Sequence, residues 1–356
     1  QVIDNTVSES RRGTVEGVPT SFGLCEISSP GVGGSSIFSV NGKNIKVGPE
    51  SVGAVPGPAS FGRGGKESTM TDVNLLMGLL DPQTFFGGGL KLDIDRARAA
   101  IVENVANPLG ISSDEALVRL RDAYDKKVSD EMVGFADISD DTALLAFGGA
   151  GPMSACGIAD KAGIKTVFIP KTAAVFSAFG IGSCDIGQSY SVVLSDLTSK
   201  TLEAAYANLA EKAQRDMFAE GYSTGDYEVS SQIVGLKNNV ETSQKLTSKP
   251  SFPQALSGSD SATLEFSARK KLKVDSNQQA GISKGSIAAK TSVRSIFGDN
   301  QEWNDLPVYQ VDKMKPGNHG AGPAVIEDEY FTCLVRQGWT FVVTELGDIC
   351  LTKGVE

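Results

Sequence analysis

Residues 143–169 read ALLAFGGAGPMSACGIADKAGIKTVFI. The segment Ala143–Phe147 is a short, continuous apolar run typical of a buried strand, and the composition of residues 153–162 favours a helix, with Pro152 suited to its first position. A second apolar run follows at residues 165–169. Strand, glycine loop, helix and strand make a βαβ unit, which predicts two parallel strands joined by a right-handed crossover.

Three glycines stand in the loop after the first strand of this unit, at Gly148, Gly149 and Gly151. Ligands of parallel sheets bind beyond the carboxyl ends of the strands, and a backbone without side chains lets a ligand approach closely. The pattern therefore favours a binding loop. A tight turn that binds nothing is the open alternative, because short strand-to-helix loops also use glycine for geometry alone. No glycine cluster completes a dinucleotide fingerprint or a P-loop.

The flanking sequence predicts a mixed α/β chain. Asn41-Gly42 between two strand-like runs predicts a hairpin over residues 36–47. Apolar residues at helical spacing predict further helices, which begin near Thr71, Asp93, Ser112 and Ser199, with Ser112 and Glu115 as a capping box. Residues 224–300 are polar and strand-like, a candidate small all-β domain, and antiparallel strands are expected after Leu306. We divide the chain into an α/β lobe, residues 1–195, and a β-rich α+β region, residues 196–356.

Charge and rare residues exclude several classes of function. Lysine and arginine number 33 against 43 aspartates and glutamates, a net charge of −10, so binding to nucleic acid or to an anionic membrane is disfavoured. His319 is the only histidine, which excludes a multi-histidine metal site, and the five cysteines have no zinc or disulfide spacing. Without a membrane-spanning apolar stretch or a signal peptide, a cytoplasmic chain is expected, and the missing initiator Met indicates processing or a piece of a longer protein.

Specific motifs recur along nearly the whole chain. Residues 48–82 contain GPESVGAVPGPASFGRGG, TMTDVN and LLDP, and AFGGAGP follows at residues 146–152. Near the end stand LPVY at residues 306–309 and GPAVIE at residues 322–327. In this order the motifs resemble the hydantoinase A / 5-oxoprolinase family, which includes the ATP-binding subunits of acetone and acetophenone carboxylases.

The resemblance implies an α/β fold, an actin-like, sugar-kinase-like ATPase lobe with an additional β-rich C-terminal domain. Members of the family use ATP, normally with Mg²⁺, to activate a cyclic amide, a ketone or bicarbonate, and a hydantoinase B-type companion completes hydrolysis or carboxylation. The chain resembles only the second half of a typical member. We therefore expect a hetero-oligomer, inactive without its partners, that includes a hydantoinase B-like subunit and a chain carrying the missing lobe.

The resemblance also assigns candidate site residues. The adenosine side of the nucleotide site corresponds to four residues, Gly148, Gly149, Ala150 and Gly151. Asp4 and Asp72 are the candidate carboxylates for Mg²⁺ or for ordering water, although Asp72 is equally suited to cap a helix. Arg63, which stands between glycines, is the candidate for contact with phosphate or substrate, and a solvated arginine is the alternative.

The phosphate-binding part of the family pattern is altered. Where relatives carry an Asp-x-Gly-Gly-Thr-x-Thr-Asp loop, this chain has VIDNTVSES at residues 2–10. Val7 brings a β-branched side chain, and Glu9 a negative charge, to a place where backbone amides should meet phosphate. Ser60 also replaces a cysteine that many relatives have, which is expected to matter little.

Two functions remain open at this point. The first is a subunit of an ATP-dependent carboxylase or cyclic-amide hydrolase that contributes the adenosine side of the nucleotide site. The second is a degenerate structural subunit of the same kind of complex that binds no ATP. A sugar or acyl-phosphate kinase is less compatible with residues 48–82. The substrate, whether hydantoin, oxoproline, lactam or ketone, is not fixed by the sequence.

Overall fold

A computed structural model of the chain describes residues 2–3, 6–7, 9–10, 13–15, 18–20, 24–25, 27–238, 240–248, 250–272, 281–283 and 285–354. The helices are α1 (Met70–Leu76), α2 (Ile94–Ile101), α3 (Asn107–Leu109), α4 (Ser113–Phe135), α5 (Gly151–Ala162), α6 (Phe176–Gly182) and α7 (Ser199–Ala219). A π-helical turn at Val102–Ala106 joins α2 to α3.

Most strands lie before the first helix or after the last one. Those that precede α7 are β1 (Val2–Ile3), β2 (Thr6–Val7), β3 (Glu9–Ser10), β4 (Thr14–Val15), β5 (Val18–Pro19), β6 (Leu24–Cys25), β7 (Ser36–Asn41), β8 (Asn44–Ser51), β9 (Ala143–Leu145), β10 (Thr166–Ile169) and β11 (Ile186–Val193). Those that follow α7 are β12 (Glu228–Lys237), β13 (Val240–Lys245), β14 (Ser261–Lys270), β15 (Ser292–Phe297), β16 (Trp303–Gln310), β17 (His319–Ala321), β18 (Ala324–Glu327), β19 (Thr332–Val335), β20 (Trp339–Val343) and β21 (Ile349–Lys353).

The chain folds into two compact units, of which unit 1 comprises residues 1–176 and 278–356. Its main sheet has the order β17-β20-β21-β10-β9. Strands β9 and β10 are parallel, with Val167 opposite Leu144, and α5 connects them, so the predicted βαβ unit is confirmed. Helix α5 buries Cys156 and Ala159 in the core that this sheet forms with Trp339 and Phe341. That core fixes the start of α5, and with it the loop before α5.

A second core of unit 1 lies around α1, α2 and α4. These helices share buried contacts with the hairpin β7-β8 and with the four-stranded sheet β15-β16-β18-β19. The core includes Phe38, Met77, Ile101, Leu120 and Phe297, each at most 2% exposed. Burial of such side chains stabilises each by about 2 kcal/mol relative to exposure, which ties the N-terminal helices to the C-terminal strands.

Local signals predicted in the sequence are present in unit 1. The hairpin turns at Gly42, whose φ of 62° is accessible to glycine, and Asn41 pairs with Asn44 across it. The Ser112 hydroxyl accepts a hydrogen bond from the Glu115 amide (3.1 Å) at the start of α4. The Glu115 carboxylate pairs with Arg119, and the described hydrogen bonds include no return bond to Ser112.

Unit 2 comprises residues 177–277. Its antiparallel sheet has the order β11-β14-β12-β13, and α7 packs on one face with Leu202 and Met217 among the buried side chains of its core. The compact units have their boundaries at residues 177 and 277, and the division at residue 195 stays a prediction. Strand β21 pairs with β10, and β20 pairs with β21, so the last two strands of the chain belong to the main sheet of unit 1.

Among the described residues, no helix is both long and apolar enough to cross a bilayer.

Candidate functional site

The loop between β9 and α5 is held by two backbone hydrogen bonds at its N-terminal end. The Ala146 amide donates to Phe168 (2.8 Å), and the Gly148 amide donates to Ala173 (2.8 Å). Gly148 has a φ of 79°, a conformation that side-chain-bearing residues rarely adopt, and a Cβ atom there would meet nothing within 4 Å. Glycine is therefore required for the backbone, and the space beside it is open.

A second glycine segment, residues 31–36, lies against this loop. Both the amide and the hydroxyl of Thr71 donate to the Gly34 carbonyl, at 3.0 and 2.9 Å. A Cβ atom on Gly34 would lie 3.7 Å from the Cβ of Ala150. The structure thus brings two of the glycine clusters of the sequence together at the start of α1.

These segments open onto a cavity of about 730 Å³, which is within the usual range for small-molecule sites. Gly149 and Ala150 line it, whereas Gly148 and Gly151 do not. The remaining lining residues are Ser35, Phe61, Thr71, Leu80, Asp81, Thr84, Phe85, Phe86, Gly87, Met153, Gln310, Asp312, Glu327, Asp328, Glu329, Tyr330, Phe331 and Thr332. The cavity therefore lies wholly within unit 1.

A second parallel pair of strands ends at the same cavity. Gln310 is the last residue of β16, Glu327 is the last residue of β18, and the two residues are partners in the parallel register. Ligands of sheets with parallel strands bind beyond such carboxyl ends. The cavity is thus bordered by the loop that follows β9 of the main sheet and by the ends of the parallel pair β16 and β18, which belongs to a different sheet. This edge was not predicted, although the motifs at residues 306–309 and 322–327 stop beside it.

Aromatic side chains form one wall of the cavity. The rings of Phe61 and Phe85 are 6.0 Å apart, and those of Phe85 and Phe86 are 4.5 Å apart. Phe86 has a φ of 50° and is 59% exposed, which is unusual for a bulky residue. A planar ligand would find ring faces on this wall.

The polar part of the lining is acidic. Carboxylates at Asp81, Asp312, Glu327, Asp328 and Glu329 border the cavity, and no lysine or arginine does so among the described residues. Glu327 is neutralised by Arg294, whose guanidinium meets both its carboxylate oxygens at 2.9 Å. The cavity consequently offers acceptors for hydrogen bonds but no positive side chain to a phosphate group.

Asp72 lies apart from the cavity lining and is fully buried. One carboxylate oxygen accepts from the Ser60 amide (2.8 Å), and the other accepts from the Thr69 amide (3.0 Å) and the Thr69 hydroxyl (2.7 Å). With Thr69 as N-cap, Asp72 completes a capping box at α1. A hydrated magnesium ion needs accessible oxygen ligands, so this carboxylate does not fit that role.

The other two predicted polar residues lie elsewhere. Arg63 is exposed, is absent from the cavity lining, and makes no ion pair with any described residue. Asp4 lies outside the described residues, so a magnesium role for it stays a prediction. Within the described part of the chain, no group of three or more histidine, cysteine, aspartate or glutamate side chains is placed to hold a metal ion.

Comparison with known proteins assigns the chain to a family. Residues 1–190 match the family described as Hydantoinase/oxoprolinase, and residues 265–347 match the Hydantoinase/oxoprolinase C-terminal domain. The chain belongs to the hydantoinase/oxoprolinase family. The resemblance stated from the motifs is confirmed.

Two relatives of this hydantoinase/oxoprolinase chain are named as subunits of enzymes. It is 28% identical to the acetophenone carboxylase gamma subunit of Aromatoleum aromaticum over 86% of this chain and 48% of the relative. It is likewise 28% identical to the caprolactamase subunit alpha of Pseudomonas jessenii over 95% of this chain and 53% of the relative. The chain thus spans about half the length of the curated relatives it matches.

Solved structures extend the comparison to the fold. A nucleotide-free structure of acetone carboxylase covers 98% of this chain with a TM-score of 0.83 at 22% identity, using 56% of its own length. The ATP-dependent caprolactamase from Pseudomonas jessenii covers 95% of this chain with a TM-score of 0.66 at 27% identity, using 54% of its own length. The predicted α/β class, an actin-like ATPase lobe with an additional β-rich part, is confirmed.

Proposed function

We propose that this chain contributes the adenosine side of a nucleotide site to a cytoplasmic, ATP-dependent carboxylase or cyclic-amide hydrolase. The supporting observation is the cavity, which Gly149 and Ala150 line together with the last residues of β16 and β18. A bare backbone, ring faces and hydrogen-bond acceptors suit an uncharged nucleoside. Relatives named acetone carboxylase and caprolactamase are described as ATP-dependent.

The phosphate side of the site is proposed to come from outside this chain. The acidic lining without a cation disfavours a triphosphate, and Asp72 is occupied by its capping bonds. Magnesium and phosphate ligands would then be supplied by a chain carrying the missing lobe, and a hydantoinase B-like subunit would act on the activated small molecule. On this proposal the chain alone is inactive.

The second candidate is a structural subunit that binds no nucleotide. Val7 and Glu9, where relatives have a glycine-rich phosphate loop, favour it. The acidic cavity is compatible with it, because carboxylates repel an anionic ligand at close range.

Equilibrium dialysis with a labelled ATP analogue and with adenosine separates the two candidates. The probes are offered to the chain alone and to the assembly that copurifies with it. Gly149→Val places a side chain in the lining, and we expect adenosine binding to weaken at least tenfold. Gly134→Val is the matched control, because a Cβ atom at Gly134 meets nothing within 4 Å and the residue lies on α4 outside the cavity lining. Absence of saturable binding in both samples would overturn the nucleotide proposal and leave the structural one.

A further inference from the structure

The side chain of Gln310 is oriented by a fixed carboxylate. Its Nε2 atom donates to Glu327 Oε2 at 3.0 Å. Arg294 binds both oxygens of the same carboxylate at 2.9 Å, and its Nη1 atom also donates to the Leu79 carbonyl (3.2 Å). The side chains of Arg294 and Glu327 are only 19% and 16% exposed, so this ion pair is largely buried. It holds the Glu327 carboxylate in the position where Gln310 donates to it.

The support determines which end of the Gln310 amide is free. An ionised carboxylate accepts hydrogen bonds and cannot donate them, so the NH₂ group must face Glu327. The Oε1 atom is then left as an acceptor. No described residue donates to it, and it is not among the polar atoms sealed from solvent without a partner. Since Gln310 lines the cavity, this acceptor is available to a ligand there.

The charges of the cavity favour a ligand that donates hydrogen bonds. Four further carboxylates line it, at Asp81, Asp312, Asp328 and Glu329. The guanidinium of Arg294 is engaged by Glu327 and is not part of the lining. An amino group on an aromatic ring can donate N–H hydrogen bonds to these acceptors. A ring carbonyl at the same position only accepts, so it could form no hydrogen bond with Gln310 Oε1.

We propose that Gln310 Oε1 is the specificity-determining acceptor for the exocyclic amine of an aminopurine base, so that the cavity distinguishes adenine from 6-oxopurines. This inference rests on the proposed nucleoside-binding function. The ribose hydroxyls are the same in all nucleosides and can both donate and accept hydrogen bonds. A contact between Gln310 Oε1 and a ribose hydroxyl would therefore not distinguish one base from another. The rings of Phe61 and Phe85 supply apolar faces for the base.

The test compares nucleosides that differ only at the 6-position, measured by calorimetry with the full chain. The wild-type chain should bind adenosine about tenfold more tightly than purine riboside, which lacks the amine, since one net hydrogen bond is worth about that factor. Inosine should bind at least as weakly as purine riboside. In Gln310→Met, adenosine and purine riboside should bind within about twofold of each other. Gln83→Met is the matched control, because Gln83 is exposed and outside the lining, and it should retain the tenfold preference.

Three results would overturn the inference. The first is equal wild-type affinity for adenosine and purine riboside, and the second is an undiminished preference in Gln310→Met. If Gln310→Met does not fold, the wild-type chain is tested instead with N⁶,N⁶-dimethyladenosine, whose amine has no N–H group to donate. The third result that would overturn the inference is an affinity for this nucleoside equal to that for adenosine. Saturable binding without dependence on Gln310 rejects this inference alone. Absence of binding by every nucleoside, to the chain and also to the assembly that copurifies with it, rejects the proposed function and the inference together.

Discussion

Asp125 on α4 and Arg336, which follows β19, form an ion pair inside unit 1, with Oδ2 and Nη1 3.6 Å apart. The Asp125 side chain is 3% exposed, and its Oδ1 atom has no hydrogen-bond partner. Arg121 lies nearby on the same helix and is also buried, and Asp299 pairs with both arginines. Burial raises the pKa of Asp125 to about 6, against the opposing effect of Arg121, Arg336 and Lys161. A titratable carboxylate thus lies in the contact between α4, α5 and the end of β19.

This pKa predicts a contribution of Asp125 to the pH dependence of stability. In the unfolded chain the carboxyl has its ordinary pKa of 3.8, so between about pH 4 and pH 6 the native state binds more protons than the unfolded state. Its contribution to the free energy of unfolding is therefore fully present below pH 4 and lost as pH rises through about 6. Urea unfolding of Asp125→Asn between pH 4 and 7 should lack this component. Asp122→Asn, an exposed neighbour on α4, should keep it, and equal pH slopes in wild type and Asp125→Asn would contradict the assignment.

Gly157 on α5 predicts a large effect of a small substitution. A Cβ atom there would overlap the Asp125 carboxylate and lie 2.7 Å from Arg336 Nη1. Gly157→Ala should cost about 1–3 kcal/mol in the free energy of unfolding, because the buried pair cannot move aside freely. Gly134→Ala on α4 meets open space and should instead gain up to about 1 kcal/mol from helix propensity. Denaturant midpoints of the two variants measure the contrast, and equal shifts would show that the contact is easily relieved.

Asp72 is expected to act through the fold rather than through a metal ion. Asp72→Asn should lower the free energy of unfolding by about 1–3 kcal/mol, because three protein donors lose a charged acceptor. Asp114→Asn, in the first turn of α4 and without a capping bond of its own, should change it by less than about 0.5 kcal/mol. Thermal unfolding with and without Mg²⁺ completes the test. An increase of the wild-type midpoint with Mg²⁺ that Asp72→Asn abolishes would restore the metal role.

The pair of Arg294 and Glu327 predicts non-additive mutations. Arg294→Met alone leaves a largely buried carboxylate without its cation and should destabilise unit 1 by about 2–3 kcal/mol. The double variant Arg294→Met, Glu327→Gln removes both charges and should recover at least half of that loss. A double-mutant cycle of unfolding free energies gives the coupling, and a value near zero would mean that the pair does not organise the cavity edge.

The five free thiols should fall into two classes. Cys25 and Cys184 are exposed, whereas Cys156, Cys333 and Cys350 are buried, and burial raises the pKa of each of these three. Since the thiolate is the reactive form, a thiol reagent at pH 8 should modify the exposed pair within minutes and the buried three only on unfolding. Peptide mapping after brief labelling identifies the sites. Rapid native modification of Cys333 would contradict its burial.

Local features of the fold were predictable because each depends on neighbours in sequence. The βαβ unit rests on the apolar run at Ala143–Phe147, the glycine loop and the run at residues 165–169, and the hairpin rests on Asn41-Gly42. The Ser112 cap of α4 follows from the same kind of signal. In each case the amino acids that determine the geometry lie within a few turns of one another.

The acidic side of the cavity was not predictable in this way. Gln310 and Glu327 meet only because β16 and β18 run parallel, while the sequence indicated antiparallel strands for this region. Asp72 was correctly linked to a helix N-terminus, but its bond to Ser60 depends on a loop twelve residues away in sequence. Arg63 lies beside motif glycines, yet it is absent from the lining. Position in a motif thus indicated the region of the site better than the side chains that face it.

The split of unit 1 along the chain has a consequence for the order of events on the ribosome. Strand β10 (Thr166–Ile169) pairs with β9 on one side and with β21 (Ile349–Lys353) on the other, so its second edge stays unpaired until β21 has been synthesised. Unit 2, by contrast, is continuous in sequence and can form as soon as residue 277 has emerged. The main sheet of unit 1 therefore stays incomplete while the whole of unit 2 is synthesised. A chain truncated before β20 leaves one edge of β10 unpaired, and pairing of that edge with a neighbouring molecule leads to aggregation.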